Sequence, residues 1–241
     1  MEKGELLYEG KAKQIFATAE DDVVWVKYKD DATAFDGKKH GQISGKGELN
    51  NLISDIFFRY LAENGVPTHY VRQLSPTEQL VKRVKIVPIE VVVRNIAAGS
   101  LAKRLGLAEG TELAHAVVET YYKDDDLGDP LINDSHISVL KLAEAEHVEQ
   151  MKQMALKVND LLISYLRERQ VILVDFKLEF GLTADGTLLL ADEISPDTCR
   201  FWDAETKKKL DKDRFRRDLG NVREAYEEIY KRLGGGEVAA E

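Results

Sequence analysis

Cysteine is nearly absent from this chain. The single one, Cys199, has no partner for an intrachain disulfide and gives no basis for a cysteine-built zinc cluster, which suits a reducing compartment. Long apolar runs are missing as well, and the opening MEKGELLYEG lacks the apolar core of a secretion signal. A soluble cytoplasmic protein with no membrane partner is therefore expected. Basic tracts are also missing: 34 Lys and Arg stand against 43 Asp and Glu, a formal net charge of -9. Duplex nucleic acid is not an expected partner, because neutralising its phosphates needs clustered cations. A small anion in a local basic pocket stays open. No internal repeat occurs, and low complexity is confined to the tail from Gly234 onward.

What is present is the composition of an ordinary folded protein, 44% hydrophobic and 32% charged, in a length that allows one large domain or two tightly joined lobes. The stretch VILVDFKLEFGLTADGTLLLADEISPD, residues 171–197, is the richest in chemistry. Val174, Phe176, Leu178 and Phe180 alternate with Asp175, Lys177 and Glu179, the period-2 pattern of a strand with one packed and one charged face. Asp185-Gly186 marks a turn before the apolar run 187–193, so the pair reads as a β-hairpin with a two-residue loop. Pairing Ala184 with Thr187 then sets Glu179 directly opposite Asp192, with Cβ atoms about 4.5–5.5 Å apart. Like charges placed so need a cation between them, and Mg2+ held by carboxylates and substrate phosphates is the candidate. The solvated face of an edge hairpin would explain one such carboxylate. Three carboxylates and a lysine, followed by Ser195, Pro196, Asp197 and Arg200, point instead to a metal-nucleotide site.

Elsewhere, two short strands, 6–8 and 14–17, flank Gly10-Lys11-Ala12-Lys13. Lys11 and Lys13, two apart in an extended segment, point the same way, as a phosphate cradle requires. A surface hairpin with solvated lysines fits the tetrapeptide alone better. A third strand, 23–29, leads into a loop, 36–47, without periodicity, of the kind that forms lids and binding loops. Leu49, Leu52, Ile53, Ile56, Phe57, Tyr60 and Leu61 mark a core helix ended by Gly65 and Pro67. Residues 68–95 return to strands, with QLVKRVKIV read as one run, and short connections imply an antiparallel sheet. Arg94 ends the last of these, and Ala97-Ala98-Gly99-Ser100 opens a short helix, 101–105. A guanidinium, a hydroxyl and free N–H groups suit an anion; an ordinary Ser cap beside a surface Arg fits equally. A strand over 117–123 runs into Asp124-Asp125-Asp126, a solvated charge run, and a loop over 128–136 ends at His136, read as a surface histidine. A long amphipathic helix, 144–169, packs on the sheet, and two C-terminal helices close the chain with Arg216 and Arg217 on a solvated face.

IVPIEVVVRNIAAGS (86–100) and LVDFKLEFG (173–181) resemble the two signature stretches of the phosphoribosylaminoimidazole-succinocarboxamide synthase (SAICAR synthetase) family of purine biosynthesis. GKAK, YYKDDDLGDP, DEISPDTCRFWD and DKDRFRRDLG are similar to that family too, so the resemblance spans almost the whole chain. It implies an α+β, two-lobed fold related to ATP-grasp and kinase-like folds, with antiparallel sheets and packed helices. We divide it into a β-rich N-terminal lobe, 1–112, and an α/β C-terminal lobe, 113–241. The resemblance further implies an ATP-dependent ligase that joins the imidazole carboxylate nucleotide CAIR to L-aspartate, yielding SAICAR, ADP and phosphate. ATP is then the co-substrate, Mg2+ the metal, and a homo-oligomer, a dimer, the assembly. By resemblance Glu179 and Asp192 hold Mg2+, while Lys11, Ala12, Lys13 and Lys123 contact the nucleotide phosphates. The adenine lies along 81–87, which contains Lys82; Arg94, Ser100 and Arg200 bind the CAIR phosphate or nearby groups; and Asp175 and Lys177 line the reacting centre.

The implied chemistry accounts for these residue types. Making an amide requires a carboxylate oxygen to leave, so transfer of the γ-phosphoryl group to the CAIR carboxylate, forming an acyl phosphate, is the expected first step. Such transfer depends on positioning and charge neutralisation rather than on a protein nucleophile, which leaves Cys199 without a role. The loop 36–46 is expected to close over the substrates. A related ATP-using enzyme acting on another carboxylate and a non-catalytic nucleotide- and metal-binding module are the alternatives.

Overall fold

The computed structural model describes residues 2–34 and 39–236. Three short strands open the chain, β1 (Leu6–Glu9), β2 (Lys13–Ala17) and β3 (Val23–Tyr28), and a small hairpin follows, β4 (Asp31–Ala34) with β5 (Lys39–Gln42). Helix α1 (Lys46–Glu63) comes next, then β6 (Tyr70–Ser75), β7 (Glu78–Lys82), the long β8 (Lys85–Ile96) and the short α2 (Gly99–Leu105). After β9 (Glu112–Tyr122) and β10 (Leu131–Ile132), α3 (Asp134–Leu140) and α4 (Ala145–Arg167) lead into β11 (Val171–Leu182), β12 (Leu188–Ala191) and β13 (Cys199–Asp203). Two helices, α5 (Asp213–Arg216) and α6 (Val222–Arg232), end the described chain.

The strands make two principal antiparallel sheets, in the orders β1-β2-β3-β7-β6 and β10-β9-β8-β11-β12, with β13 also on β11; β4 and β5 pair only with each other. The main core lies between the second sheet, α1, α4 and α6. Ile89, Val91 and Val93 from β8 and Phe176, Leu178 and Phe180 from β11 meet Leu49, Ile53 and Phe57 of α1 and Met151, Val158 and Leu162 of α4. A small cluster, Val24, Val26, Tyr28 and Val81, serves the first sheet. Of the apolar stripe expected of α1, Leu49, Ile53, Phe57 and Leu61 are buried and Leu52, Ile56 and Tyr60 half-buried, and Asp30 caps the helix by accepting the N–H groups of Gly45 (3.0 Å) and Gly47 (2.8 Å).

Several expectations are corrected. The run 79–87 is two strands, not one: β7 belongs to the first sheet and β8 to the second, so the chain changes sheet at 83–84. Gly181 makes room for this link, since a Cβ there would lie 2.4 Å from Val84 Cγ2. Because β8 pairs with β9 and β11, a lobe boundary at 112 would part hydrogen-bonded neighbours; sheet membership divides the chain after Lys82. Residues 39–46 are not an unstructured loop but β5, a turn over 43–45 and the first residue of α1, and 36–38 lie outside the described residues. Part of the 128–136 loop is β10 and the first turn of α3, where His136 serves as a cap, its Nδ1 accepting from the Asn133 N–H at 3.1 Å.

The central correction concerns the hairpin. Leu182 faces Leu188 and Glu179 faces Ala191, not Asp192. The Thr183 N–H reaches the Thr187 carbonyl (3.0 Å), leaving 184–186 as a three-residue loop with Gly186 at φ 85. Side chains impose the extra residue: the Thr187 N–H donates to Thr183 Oγ1 (3.0 Å) and to Asp185 Oδ1 (3.1 Å). One residue of slip moves Asp192 out of the ladder and into a left-handed conformation, φ 61.

Candidate active site

Strand parity builds the site. On β11 the charged residues Asp175, Lys177 and Glu179 share the face turned away from α4, and the register sets them beside Arg94, Val92 and Glu90 of β8. Beyond β8, Glu119 faces Val92 and Tyr121 faces Glu90. On the other flank Arg200 of β13 faces Asp175. One sheet face therefore carries arginines at one end and lysines with carboxylates at the other.

At the arginine end, Asp175 is buried and shared. Arg94 Nη1 donates to its Oδ2 at 2.8 Å, and Arg200 Nη1 donates to both oxygens at 3.0 and 2.9 Å. Arg94 also donates to Glu119 (2.6 Å), Ser100 Oγ (3.2 Å) and Tyr121 Oη (3.1 Å), and Arg200 Nε to Asp213 (3.0 Å). Arg104 reaches the same Tyr121 (3.1 Å) and pairs with Glu119. Burial opposes Asp213's charge, but Arg200 and Arg216 hold its pKa down at about 2. Its neighbour Asp211, buried and close to Asp213, is pushed up to about 7. Gly99, at φ 51, passes so near Arg200 that a Cβ would lie 2.6 Å from Nη2. Arg94, Ser100, Arg200 and Asp175, all singled out from sequence, are thus brought together.

At the other end, Lys177 Nζ donates to Glu179 and Glu90, each at 2.7 Å, and Lys123 donates to Glu179 at 3.0 Å. Glu179 does face a carboxylate directly, but it is Glu90 of β8. Burial, with Glu179 adding to it, raises the pKa of Glu90 despite Lys177. Lys13 Nζ pairs with Asp192 (2.6 Å) and Glu193 (2.9 Å), and these carboxylates raise its pKa against burial. Desolvation opposes the charge of the half-buried Asp192, but Lys13 and Lys177 hold its carboxyl well below the usual carboxylate range. Lys177, paired with Glu90 and Glu179, also feels the charge of Asp192, and these carboxylates raise its pKa against desolvation. Lys11 does not point with Lys13; it pairs with exposed Asp125 at 2.6 Å. Ala12 contributes only its carbonyl, to the Lys29 N–H (2.8 Å), and the Lys82 side chain is exposed at the end of β7.

Sequence reasoning missed Glu90, Glu119, Tyr121 and Glu193. For Glu90 a signal existed: in IEVVVRN it shares the parity of Arg94. It also missed a buried cluster below the site, where Asp197 accepts from Lys46 (3.0 Å), Lys212 (3.1 Å) and Tyr226 Oη (2.7 Å), tying α1, the loop before β13 and α6 together. Arg216 is not merely solvated, since it pairs with Asp213 at 2.7 Å. No helix among the described residues is long and apolar enough to cross a membrane.

Comparison with known proteins bears on this arrangement. The family model described as SAICAR synthetase matches residues 6–233. The chain belongs to the SAICAR synthetase family. A phosphoribosylaminoimidazole-succinocarboxamide synthase of Brevibacillus brevis is 66% identical over 235 residues, 98% of each chain, and one from Bacillus cereus is 61% identical over the same shares. Among solved structures, a SAICAR synthetase in complex with ADP superposes with a TM-score of 0.94 at 50% identity, covering 98% of this chain and 100% of that one. A SAICAR synthase from Saccharomyces cerevisiae, complexed with SAICAR, has a TM-score of 0.80 at 22% identity, covering 98% and 96%, and shares the fold. The SAICAR synthetase fold expected from the sequence is the fold observed.

Proposed function

We propose that this chain is the ATP-dependent ligase that joins CAIR to L-aspartate, giving SAICAR, ADP and phosphate in purine biosynthesis, with Mg2+ at the nucleotide. The observation that carries the reading is the two-ended charged face of the second sheet. From Asp175 to Glu179 a strand rises about 13 Å, roughly the reach from the phosphate of a nucleotide to a carboxylate on its base. Arg94, Ser100 and Arg200 take the CAIR phosphate at one end, their forks fixed by Asp175. Lys13, Lys11 and Lys123 take the nucleotide phosphates at the other, with the Ala12 backbone beside them and the adenine along the link near Lys82.

Glu179, Asp192 and the facing Glu90 offer the hard oxygen donors that Mg2+ prefers. Among the described residues no three such side chains gather closely enough to hold a metal by themselves; the facing pair Glu90–Glu179, which draws two ammonium groups onto itself, would share the ion with the nucleotide phosphates. When bound, the ion supplies charge neutralisation and orientation at the phosphates. The chain's own residues position and neutralise. Lys177, kept protonated by Glu179 and Glu90 against burial, lies where the γ-phosphoryl group and the CAIR carboxylate would meet. Phosphoryl transfer to that carboxylate releases ADP and forms an acyl phosphate; the aspartate amine then attacks the acyl carbon, and phosphate leaves. In this reading the enzyme is cytoplasmic and a homodimer, the latter checked by analytical ultracentrifugation.

The test is a coupled assay with product mass spectrometry. ADP release should require CAIR and L-aspartate together and should yield the succinocarboxamide. Release with another carboxylate in place of CAIR would favour a different ligase or kinase, and nucleotide binding with no product would favour a binding module.

A further inference from the structure

We propose that Arg104 is a third phosphate-binding residue at the arginine end, presented by α2 and aimed by Glu119 and Tyr121, an inference that rests on the reading of that end as the CAIR phosphate site. Arg104 follows Ser100 by four residues in α2, so the two side chains share one face of the helix. Gly99, just before them, is the residue against which Arg200 closes. Glu119 and Tyr121 stand on the charged face of the second sheet, in the cross-strand rows of Lys177 and Glu179. Arg94 donates Nε to Glu119 Oε2 (2.6 Å) and Nη2 to Tyr121 Oη (3.1 Å). Arg104 donates Nη1 to the same hydroxyl (3.1 Å) and Nη2 to the other oxygen of Glu119. The Tyr121 hydroxyl itself donates to Glu119 Oε2 at 2.9 Å. The two guanidiniums are thus one hydroxyl apart, and the same carboxylate fixes the direction of both.

Donor supply and charge both single out Arg104. Arg94 commits Nε to Glu119, Nη1 to Asp175 and Nη2 to Ser100 and Tyr121, which leaves its fork a single N–H for a ligand. Arg104 bonds through one N–H of each Nη, and its remaining N–H groups have no partner among the described residues. Its side chain is 33% exposed, against 5% for Arg94 and 17% for Arg200, so those groups can meet an incoming anion. Burial opposes the charge of Glu119, but the bond from Arg94 holds its pKa below the ordinary value. Without Arg104, the cations Arg94, Arg200 and Arg216 would only balance the carboxylates Asp175, Glu119 and Asp213. A phosphate monoester, carrying nearly two negative charges, would find no net attraction there. Arg104 gives the end its surplus of positive charge, and its bonds to Glu119 and Tyr121 lessen the side-chain freedom lost when the anion binds.

The test compares CAIR with its dephosphorylated riboside. Arg104→Ala should lower kcat/KM for CAIR about 10–100-fold, the range of one charge-assisted hydrogen bond, and should do so through KM. For the riboside kcat/KM should stay within about twofold, as should the KM for ATP. The same substitution in an Arg94→Ala background separates direct from relayed action. A direct contact costs about a further fivefold or more there, whereas a residue acting only through Arg94 costs nothing more. Should the double variant not fold, the wild-type enzyme labelled with 15N-arginine decides: CAIR, but not the riboside, should shift the Nε signal that is missing from Arg104→Ala. An unchanged kcat/KM for CAIR in Arg104→Ala, an equal loss for the riboside, no added loss in the Arg94→Ala background, or an Nε signal that CAIR leaves unmoved overturns the inference. Arg94→Ala alone separates the two readings. If it weakens ATP as much as CAIR, the phosphate assignment of this end fails and the role of Arg104 with it; if it weakens CAIR alone while Arg104→Ala does not, only the role of Arg104 fails.

Discussion

The two ends of the charged face use different cations, arginine at one and lysine at the other, and the difference matches what the proposed function asks each to hold. Arg94 and Arg200 are planar forks locked by Asp175, Glu119, Asp213, Tyr121 and Ser100, with Gly99 closing against Arg200. That end is preorganised for an anion that stays where it binds. Lys13, Lys123 and Lys177 are point charges on flexible stems that share carboxylates and can exchange partners. Such an end suits a phosphoryl group that moves during the reaction.

The largest effect should come from breaking the rigid end. Asp175→Ala leaves the buried Arg94 and the half-buried Arg200 without their common counter-charge and should lower stability by about 3–5 kcal/mol in urea unfolding, besides abolishing turnover. Asp192→Asn should separate the ends more cleanly. Since Asp192 faces Lys13 rather than Glu179, the change removes an attraction and not a repulsion; we expect a stability loss of about 1–3 kcal/mol and a loss of activity far larger than that implies.

A pH titration sharpens the contrast further. Asp211, raised to about 7 in the fold, keeps a proton that the unfolded chain loses near the ordinary carboxylate value. Its contribution therefore favours the fold at low pH, is eroded as pH rises from about 4 to 7, and is flat above. Asp211→Asn should remove that slope, and the carboxyl 13C signal of Asp211 should titrate near neutrality. The smallest effect belongs to Lys11, whose exposed pair with Asp125 is solvent-screened: Lys11→Ala should change stability by less than about 1 kcal/mol in the same unfolding assay.

Much of this was legible in the sequence. The alternation in DFKLEF and the shared parity of Glu90, Val92 and Arg94 dictate which side chains occupy the charged face, because period 2 is a property of the strand alone. What was not legible is which strand lies beside which. The like-charge partner of Glu179 comes from β8, a neighbour chosen by tertiary packing, and the hairpin register hung on Thr183 and Asp185 capturing one N–H, a side-chain competition that counting from Asp185-Gly186 misses. The burial of Lys46 and Lys212 on Asp197 likewise depends on helices distant in sequence.

Calorimetric binding of CAIR and of a non-hydrolysable ATP analogue to Arg94→Ala tests the two-ended site most directly. If the arginine end holds CAIR and the lysine end holds ATP, CAIR should bind about 100-fold more weakly while the ATP analogue stays within about threefold of wild type. Equal losses for both ligands would contradict the division.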